Sequence, residues 1–366
     1  MILNKCQPGK VSLLRNVSAS QQGSIVCDGN YVYVSRHTST GEQGILRVST
    51  DGTSSNTKLS GITGPFYMCV TSTGKLIAAG GLSSDANSHY IRISTNAANS
   101  FTTVDLQDLD YNITHVRSVQ ITPTGRILVL AYASPEEKII YSDDDGVTWQ
   151  LSEFATTGPV TKIYRLSTGR LVSKNIWSWI IYSDDNGLTW VSTDFYATDV
   201  CVGANDRVFY INYGTLKYTD DIKNHTMQGE SGTSVLVDNV YSYSNLLAVT
   251  TNNTVHIFMG ISTDISLAGI DDLILYSNDN CSNITSLQYA EGVSADQIPT
   301  TVYNLAYSEY NSMIYFTNIY TLTTEQRQVV KVGLSMQPVL AHAKYLDQLG
   351  ADELVTQFKA YVDSLV

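Results

Sequence analysis

The stretch Tyr141–Trp149 reads YSDDDGVTW, and Tyr182–Trp190 repeats it as YSDDNGLTW 41 positions later. The pattern Ser-x-Asp-x-Gly-x-Thr-Trp is typical of a tight hairpin, in which Ser and Asp side chains bond the backbone and Gly takes a positive φ. The Trp is expected to fold back into the sheet, because burying an indole removes about 150–250 Å² from water. A structural role is therefore predicted for Ser142, Asp144, Gly146, Thr148, Trp149, Ser183, Asp185, Gly187, Thr189 and Trp190.

Degenerate copies of this motif occur elsewhere in the chain, at the equivalent position of other repeated units. Ile93–Phe101 keeps Ser, with Asn in place of Asp, Ser in place of Thr and Phe in place of Trp, and Tyr276–Ile284 is almost as close. Two shorter and weaker copies of the motif are Val48–Thr53 and Tyr218–Asp221. A further segment, Val329–Val332, keeps only the strand expected before the turn. Six copies and a seventh strand predict seven repeated units.

A second repeated feature, a polar turn followed by a short β-rich run, gives the same count. Ser72–Lys75 is one such turn, and each is interpreted as joining the first two strands of its unit. In this interpretation Ser244–Asn245 precedes a second strand, Leu246–Val249. The remaining turns are Asp28–Asn30, Pro123–Arg126, Ser167–Arg170, Ala204–Arg207 and Tyr310–Asn311.

Seven units of short strands predict an all-β fold, a seven-bladed β-propeller over residues 1–337, with six blades as the alternative. The polar turns and the Asp-containing hairpins then lie on one face of the ring, and the loops between second and third strands lie on the other. Lys10–Arg15 has no unit of its own, so we expect it to supply the outer strand of the last blade. Closing the ring in this way removes free sheet edges.

Composition excludes several classes of function. The net charge is −12 and only 15% of residues are charged, so a basic track for nucleic acid is not expected. No apolar run is long enough to cross a membrane, and the N-terminal residues lack the apolar core of a signal peptide. We therefore expect synthesis in a cytosol, without membrane insertion.

Neither a metal nor a cofactor is predicted. Five cysteines without a Cys-x-x-Cys pair are expected to be free thiols, with Cys27, Cys69 and Cys201 buried at matching places on three inner strands. Asp143–Gly146 resembles the start of a calcium loop, but no Glu follows six residues after the Gly. Hairpin geometry explains these carboxylates.

After Pro338 the sequence changes to helical spacing, which defines a second segment, residues 338–366. Its apolar positions step by four, three and four residues and form a seam suited to one partner surface or a short coiled coil. The seam consists of Leu354, Phe358, Tyr361 and Leu365. A docking or oligomerising helix is expected, and packing of the helix against the propeller flank is the alternative.

Two resemblances follow from these residues. The repeats resemble those of Asp-box (bacterial neuraminidase repeat) β-propellers, a group that includes sialidases, sortilin-type receptors and photosystem assembly factors, so the resemblance implies a fold but no single function. Tyr345–Asp363 is similar to a short helical segment of bacteriophage virion proteins such as tail and head fibres. That resemblance implies a part that docks into a virus particle.

The sequence favours a protein without catalytic residues. Sialidases of the Asp-box group hold the substrate carboxylate with three arginines, the first in a Phe/Tyr-Arg-x-Pro phrase, and this phrase is missing here. Three other arginines, Arg126, Arg170 and Arg207, fall in turns on the opposite face to the loops. A glycan hydrolase remains an alternative, because glycosidases need only two carboxylates about 5–10 Å apart.

The loops between second and third strands are the expected ligand-binding region. Trp177 and Trp179 flank Ser178, so both rings are expected to project from one side of a strand start, although a Trp pair also suits a blade core. The segment Asn253–Asp272 is the largest departure from the repeat and is interpreted as a loop insert. The candidate ligand-binding residues are Arg36, His37, Tyr90, Trp177, Trp179, Tyr213 and His256.

Together these observations predict a non-catalytic bacteriophage virion protein, a tail or head appendage. Its propeller loops are expected to bind a host surface glycan or protein, and its C-terminal helix is expected to contact other virion proteins or further copies of the chain. The alternatives are a sialidase-like glycan hydrolase, a purely structural virion component and, more distantly, a bacterial assembly factor. The ligand, the host and the oligomeric state are not specified by the sequence.

Overall fold

The computed structural model describes residues 8–18, 24–28, 30–36, 44–49, 53–59, 62, 66–81, 85, 87–109, 112–133, 136–155, 162–175, 177–213, 215–220, 222, 233–237, 245–251, 254–260, 274–277, 279, 281–282, 285–286, 301–308, 313–319 and 326–334. Regular structure in these ranges is almost entirely β-strand, with 3-10 turns at Leu106–Leu109 and Ala204–Asp206. The all-β prediction is confirmed. The predicted C-terminal helix, with its seam residues, lies outside the described residues.

The described strands form seven antiparallel sheets of four strands each, which we number in chain order. Sheet I contains β2 (Ile25–Cys27), β3 (Tyr31–Arg36), β4 (Gly44–Ser49) and β5 (Ser54–Lys58). Sheet II contains β6 (Phe66–Val70), β7 (Leu76–Gly80), β8 (Tyr90–Ser94) and β9 (Thr102–Asp105). Sheet III contains β10 (Ile113–Ile121), β11 (Ile127–Ala133), β12 (Glu136–Ser142) and β13 (Gln150–Ala155).

The next three sheets follow the same order. Sheet IV contains β14 (Tyr164–Arg165), β15 (Leu171–Lys174), β16 (Trp179–Ser183) and β17 (Val191–Tyr196). Sheet V contains β18 (Asp199–Val202), β19 (Val208–Asn212), β20 (Thr215–Thr219) and β21 (Thr233–Val237). Sheet VI contains β22 (Asn245–Thr251), β23 (Thr254–Gly260), β24 (Ile274–Ser277) and β25 (Thr285–Ser286).

Sheet VII combines strands that are far apart in the sequence. It contains β26 (Thr301–Ser308), β27 (Met313–Ile319), β28 (Gln326–Leu334) and, at its edge, β1 (Pro8–Ser18). In the register of this edge, Val11 lies opposite Val332 and Ser18 lies opposite Gln326. A strand that precedes sheet I in sequence therefore completes the last sheet.

The sheets pack face to face, so their central strands are buried on both sides. In β11 (Ile127–Ala133), Ile127, Val129 and Ala131 share a core cluster with residues of sheet II. Leu128 and Leu130 belong to a second cluster, with residues of sheet IV. A strand enclosed between two neighbouring sheets is expected to be continuously apolar rather than alternating, as the sequence ILVLAYA is.

Contacts between successive sheets occur mainly through their first strands. Among sheets I to III, β2 contacts β6, and β6 contacts β10. Among sheets IV to VI, β18 contacts both β14 and β22. The first strand of sheet VII, β26, contacts both β22 and β2. The first strand of a sheet is therefore its inner strand. The turns joining strands one to two and three to four lie on one face, the turn face, and the connections between strands two and three lie on the other, the loop face.

Sheet VI corrects one part of the sequence interpretation. Asn245–Thr251 is its first strand, not its second, and it pairs with Thr254–Gly260 from Asn245 opposite Gly260 to Thr251 opposite Thr254. Asn245 is therefore part of a strand, and the first two strands of this sheet are connected after Thr251 rather than at Ser244–Asn245. Residues Thr254–Gly260 of the presumed loop insert form a strand, because their apolar and β-branched side chains continue the ladder.

The described cysteines are free. Cys69 and Cys201 are buried on the first strands of sheets II and V, as predicted, whereas Cys27 on sheet I is only half-buried. Burial raises the pKa of Cys27 and of Cys69 to about 12, which keeps both thiols protonated at neutral pH. Within the described ranges no helix is long and apolar enough to span a membrane.

Candidate functional site

The loop face carries most of the exposed aromatic surface of the described residues. Tyr67, Trp177, Trp179 and Tyr213 are 37%, 55%, 39% and 79% exposed. Tyr67 is near the start of the inner strand β6, the two Trp residues flank the β15–β16 turn, and Tyr213 follows β19. Exposed aromatic side chains gathered on one face mark a binding surface more often than scattered ones do.

The two Trp residues are presented by a hydrogen-bonded turn between β15 and β16. Asn175 N–H donates to the Trp179 carbonyl (3.0 Å), and Trp179 N–H donates to the Asn175 side-chain oxygen (2.9 Å). Ser178 takes a φ of 66°, and its carbonyl accepts a bond from Ala197 N–H at 2.6 Å. Since Asn175 is itself buried, the Trp side chains extend from a fixed backbone.

A row of rings connects this turn to the next sheet. The Trp179 ring meets the Tyr196 ring edge to face, with 6.1 Å between centroids, and Tyr196 stacks on Tyr213 at 5.0 Å and 11°. The Asn212 amide donates to the Tyr196 carbonyl (2.9 Å), which fixes the middle of the row. We call Trp177, Trp179, Tyr196 and Tyr213 the aromatic platform. Each ring contact contributes about 0.5–1.5 kcal/mol beyond area burial.

Elsewhere among the described residues, a lysine and an aspartate link the segment before β14 to sheets V and VI. Lys162 Nζ donates to Asp199 Oδ2 (2.8 Å) and to the Leu246 carbonyl (2.6 Å), and the same Asp199 oxygen accepts from Leu246 N–H (2.8 Å). Lys174 lies close by, and burial, opposed by Asp199, lowers its pKa below the usual lysine range. Two cationic side chains therefore surround one carboxylate at the inner edge of the loop face.

A third cluster lies on sheet III. Arg117 Nε is 3.2 Å from Glu137 Oε1, and the guanidinium carbon is 5.3 Å from the centre of the Tyr132 ring. Burial raises the pKa of Glu137, although Arg117 acts in the opposite direction. Burial and Arg117 both lower the pKa of His115, whose ring is 5.4 Å from Tyr132. The cluster thus gathers a guanidinium, a carboxyl group and an imidazole around Tyr132.

The arginines of the turn face have a different role. Arg126 makes a bidentate pair with Asp143, with bonds of 2.6 and 2.8 Å, and lies 4.7 Å from the Tyr141 ring centre. Two other Arg, Asp and Tyr sets repeat this geometry. They are Arg170 with Asp184 and Tyr182, and Arg207 with Asp220 and Tyr218. These guanidinium groups are already bound to protein carboxylates.

The repeated hairpins are held by their own side chains. Ser142 Oγ donates to Asp144 Oδ1 (2.8 Å) and accepts from Gly146 N–H (2.9 Å), and Asp144 accepts from the hydroxyl and N–H of Thr148 at 2.5 and 2.8 Å. These bonds lower the pKa of Asp144 to about 2, with the Thr148 hydroxyl as the main cause. The equivalent serines at three other copies make the same pair of bonds. They are Ser94, Ser183 and Ser277.

The hairpins also connect neighbouring sheets, as the contacts between sheets III and IV show. Thr124 on the first turn of sheet III donates to the Asn186 side chain of sheet IV (2.8 Å), and Arg126 reaches the Asn186 carbonyl (3.4 Å). Gly187 has a φ of +89° and lies so close to Leu128 that a Cβ there would approach its Cδ1 to 2.5 Å. The carboxylates and glycines of these hairpins therefore serve packing.

The structure brings together three of the sequence-predicted site residues, Trp177, Trp179 and Tyr213. The expectation that both Trp rings extend from a strand is corrected, because Trp177 lies in the turn and only Trp179 belongs to β16. The reason is the hydrogen-bonded turn at Asn175, because β16 begins only after this turn, at Trp179.

The other predicted ligand-binding residues are not part of the platform. The Tyr90 ring packs edge-on against the His89 ring, with 4.5 Å between their centroids. The guanidinium carbon of Arg92 lies 5.8 Å from the Tyr90 ring centroid. Arg36 ends β3, and His37 lies outside the described residues. The placement of His256 in a loop was wrong, because it lies within β23 opposite Val249.

Sequence reasoning missed Tyr196, Tyr67 and Arg117. Tyr196 meets Trp179 only because a register shift in β16–β17 places these two residues opposite each other. Arg117 sits at a similar irregularity between Val116 and Ser118. Bulges change the direction of single side chains and follow no periodic pattern, so the sequence carries no signal for these contacts.

Comparisons with known proteins identify a fold rather than a family. No protein-family profile and no curated protein matches the sequence. The structure is similar to YCF48 bound to D1 peptide (TM-score 0.55, 12% identity, 87% of this chain and 94% of that one). It is also similar to a catalytically inactive virginiamycin B lyase from Staphylococcus aureus with quinupristin (0.53, 12%, 88% and 99%) and to the WD40 β-propeller domain of Doa1 (0.51, 11%, 88% and 97%). At these identities the likeness concerns architecture alone, and the chain has a β-propeller fold.

Proposed function

We propose that this chain is a non-catalytic recognition protein whose loop face binds carbohydrate. The observation that carries the proposal is the aromatic platform, in which partly exposed rings are held in a fixed row across two sheets. Flat rings with a negative face suit the C–H faces of sugar rings, and adjacent amides and hydroxyls suit their hydroxyl groups. Because the turn and row are already hydrogen-bonded, little ordering would oppose binding.

The proposal includes the finer architecture. The seven sheets are taken as seven blades of one ring, with residues 1–337 as the propeller and β1 closing it. Support comes from the contacts between successive inner strands, including that of β2 with β26. The hairpin hydrogen bonds support membership of the Asp-box group, because the Ser and Asp bonds recur in four sheets.

The proposal also retains the expectation of a bacteriophage virion protein that contacts a host surface glycan. Its support is the resemblance of Tyr345–Asp363 to helical segments of virion proteins. The test is to delete residues 338–366 from the chain in an infecting phage and to measure its incorporation into particles. Unchanged incorporation would remove the anchoring part of the proposal and leave carbohydrate binding untouched.

Carbohydrate binding is tested with the full chain, labelled and applied to a glycan array and to intact bacteria. We expect selective binding that the double variant Trp177→Ala/Trp179→Ala loses by at least about tenfold. Val147→Ala is the matched control, because Val147 is exposed on a turn-face hairpin. Absence of binding to every glycan and every strain would contradict the proposal and favour a purely structural component.

A glycan hydrolase is the second candidate. Glu137, with its raised pKa and its place at the loop-face end of β12, has the property expected of a general acid. Against this, the turn-face arginines Arg126, Arg170 and Arg207 bind protein carboxylates. Release of reducing sugar from a bound glycan, abolished by Glu137→Gln, would replace the non-catalytic proposal with this one.

A further inference from the structure

The residues that contact Arg117 lie on the side of sheet III that faces sheet IV. Leu130 and Ile139 of sheet III pack against residues of sheet IV. Tyr132 is two residues beyond Leu130 and Glu137 is two residues before Ile139, and side chains two apart share one side of a strand. Tyr132 and Glu137, which are paired in register, therefore face sheet IV at the end nearest the loop face. Arg117 lies over this pair.

Arg117 forms an ion pair with Glu137 but, unlike five other described arginines, it is not held by two hydrogen bonds to protein acceptors. Its Nε atom and the Glu137 Oε2 atom are buried and have no hydrogen-bond partner within the described part of the chain. Each of five other arginines donates at least two hydrogen bonds to protein acceptors. These are Arg47, Arg92, Arg126, Arg170 and Arg207. Buried polar groups without partners are rare in folded proteins and call for a specific explanation.

On the basis of the proposed function, we infer that the ligand is an acidic carbohydrate whose carboxylate is bound by Arg117. The Arg117 side chain is 37% exposed, and its guanidinium is oriented by the Tyr132 ring rather than by a bidentate partner. A guanidinium presents paired N–H donors that match the two oxygens of a carboxylate. The aromatic platform, which lies on the same face of the protein, would bind the sugar rings of the same oligosaccharide.

The surrounding charges support an acidic ligand. Lys162 and Lys174 lie at the inner edge of the same face, with Asp199 as their common partner. Glu137 is the carboxylate nearest to Arg117, and burial favours its neutral form. The net charge of the whole chain, −12, opposes a long-range attraction and makes this local recognition necessary.

The test uses an array of matched glycan pairs, each an acidic oligosaccharide beside its carboxyl-reduced neutral counterpart. We expect the full chain to prefer the acidic member of its pair by about tenfold or more, and Arg117→Met to abolish that preference. Arg117→Lys should retain part of it, because a single charge replaces the paired donors. Arg165→Met is the control, since Arg165 is an exposed arginine at the turn-face end of β14.

The possible outcomes separate this inference from the proposed function. Equal binding of both members, lost in Trp177→Ala/Trp179→Ala, would overturn the acidic ligand and keep carbohydrate recognition. An acid preference that survives in Arg117→Met at an unchanged unfolding midpoint would overturn the role of Arg117. No binding to any glycan would overturn both. An acid preference lost in Arg117→Met and kept in Arg165→Met would establish the inference.

Discussion

Lys162 Nζ lies 2.8 Å from Asp199 Oδ2, although Lys162 precedes β14 of sheet IV and Asp199 begins β18 of sheet V. The Asp199 side chain is 5% exposed, and the Lys162 side chain is 26% exposed. The bonds of this pair to the Leu246 backbone extend the link to a third sheet. Removing one partner of a buried pair is costly, because the other charge is left without compensation.

We therefore predict that Lys162→Met lowers the free energy of unfolding by about 3 kcal/mol. The value is at the low end of the range for buried pairs, because Asp199 keeps the N–H groups of Leu246 and Val200. Adding Asp199→Asn should recover part of the loss. Lys75→Met is the control, since Lys75 is equally exposed but its partner Asp145 is 26% exposed, and it should cost under about 1 kcal/mol. Equal losses in urea denaturation would contradict the prediction.

The repeats predicted the fold because they are local. A Ser, an Asp and a Gly within five residues make their own hairpin bonds, so the phrase at Tyr141–Trp149 indicates two strands and their turn without further information. The same logic failed at Ser244–Asn245. There the sequence between Thr251 and Thr254, two asparagines, contains no Gly and matches no repeated motif, and the strand ladder alone determines where β22 ends.

The candidate site was harder to predict because its contacts are not local. Trp179 and Tyr213 were identified from their loops, but the ring that connects them, Tyr196, depends on the register shift between β16 and β17. Arg117 lies on an inner strand between buried residues, where a sequence pattern indicates core packing. Only the pairing of β10 with β11 and of β11 with β12 places it beside Tyr132 and Glu137.

Gly187 and Gly125 allow backbone strain to be separated from packing. Both have a positive φ, of +89° and +92°, but a Cβ on Gly187 would meet Leu128 whereas a Cβ on Gly125 would meet nothing within 4 Å. Gly125→Ala should therefore show only the conformational cost, about 1–2 kcal/mol. Gly187→Ala should cost about 1–3 kcal/mol more, because it overpacks the contact between sheets III and IV. Similar unfolding free energies for the two variants would show that Leu128 yields easily.

The two hairpin Trp residues differ in one hydrogen bond. Trp190 Nε1 donates to the Gly187 carbonyl (3.0 Å), whereas Trp149 Nε1 is buried without a partner in the described part of the chain. Trp190→Phe loses a bond and orphans an acceptor, but Trp149→Phe removes an unsatisfied donor. We expect Trp190→Phe to be more destabilising by about 1–3 kcal/mol, measured by chemical denaturation. The reverse order would show that ring volume, not hydrogen bonding, controls these positions.

The hairpin at Asp144 predicts a specific pH dependence. Its pKa falls from the ordinary value near 3.8 to about 2, chiefly through the Thr148 hydroxyl. A lowered pKa in the folded state means that the ionised form stabilises folding above about pH 4 and that this contribution disappears as the pH falls towards 2. Asp144→Asn should therefore be less stable than the wild type at pH 7, and the difference should shrink at pH 2.

The chain itself shows that asparagine fits this position. Asn96, the equivalent residue of sheet II, accepts a bond from Ser100 N–H (3.0 Å) and donates to the Ser100 hydroxyl (2.8 Å), so Asp144→Asn keeps the hairpin and removes only the charge. Asp108→Asn, at an exposed residue of the 3-10 turn Leu106–Leu109, controls for the general effect of removing a carboxylate. Urea midpoints of the three proteins from pH 7 to pH 2 supply the measurement. A gap between Asp144→Asn and wild type that stays constant over this range would mean that the Thr148 bonds do not depend on the charge of Asp144.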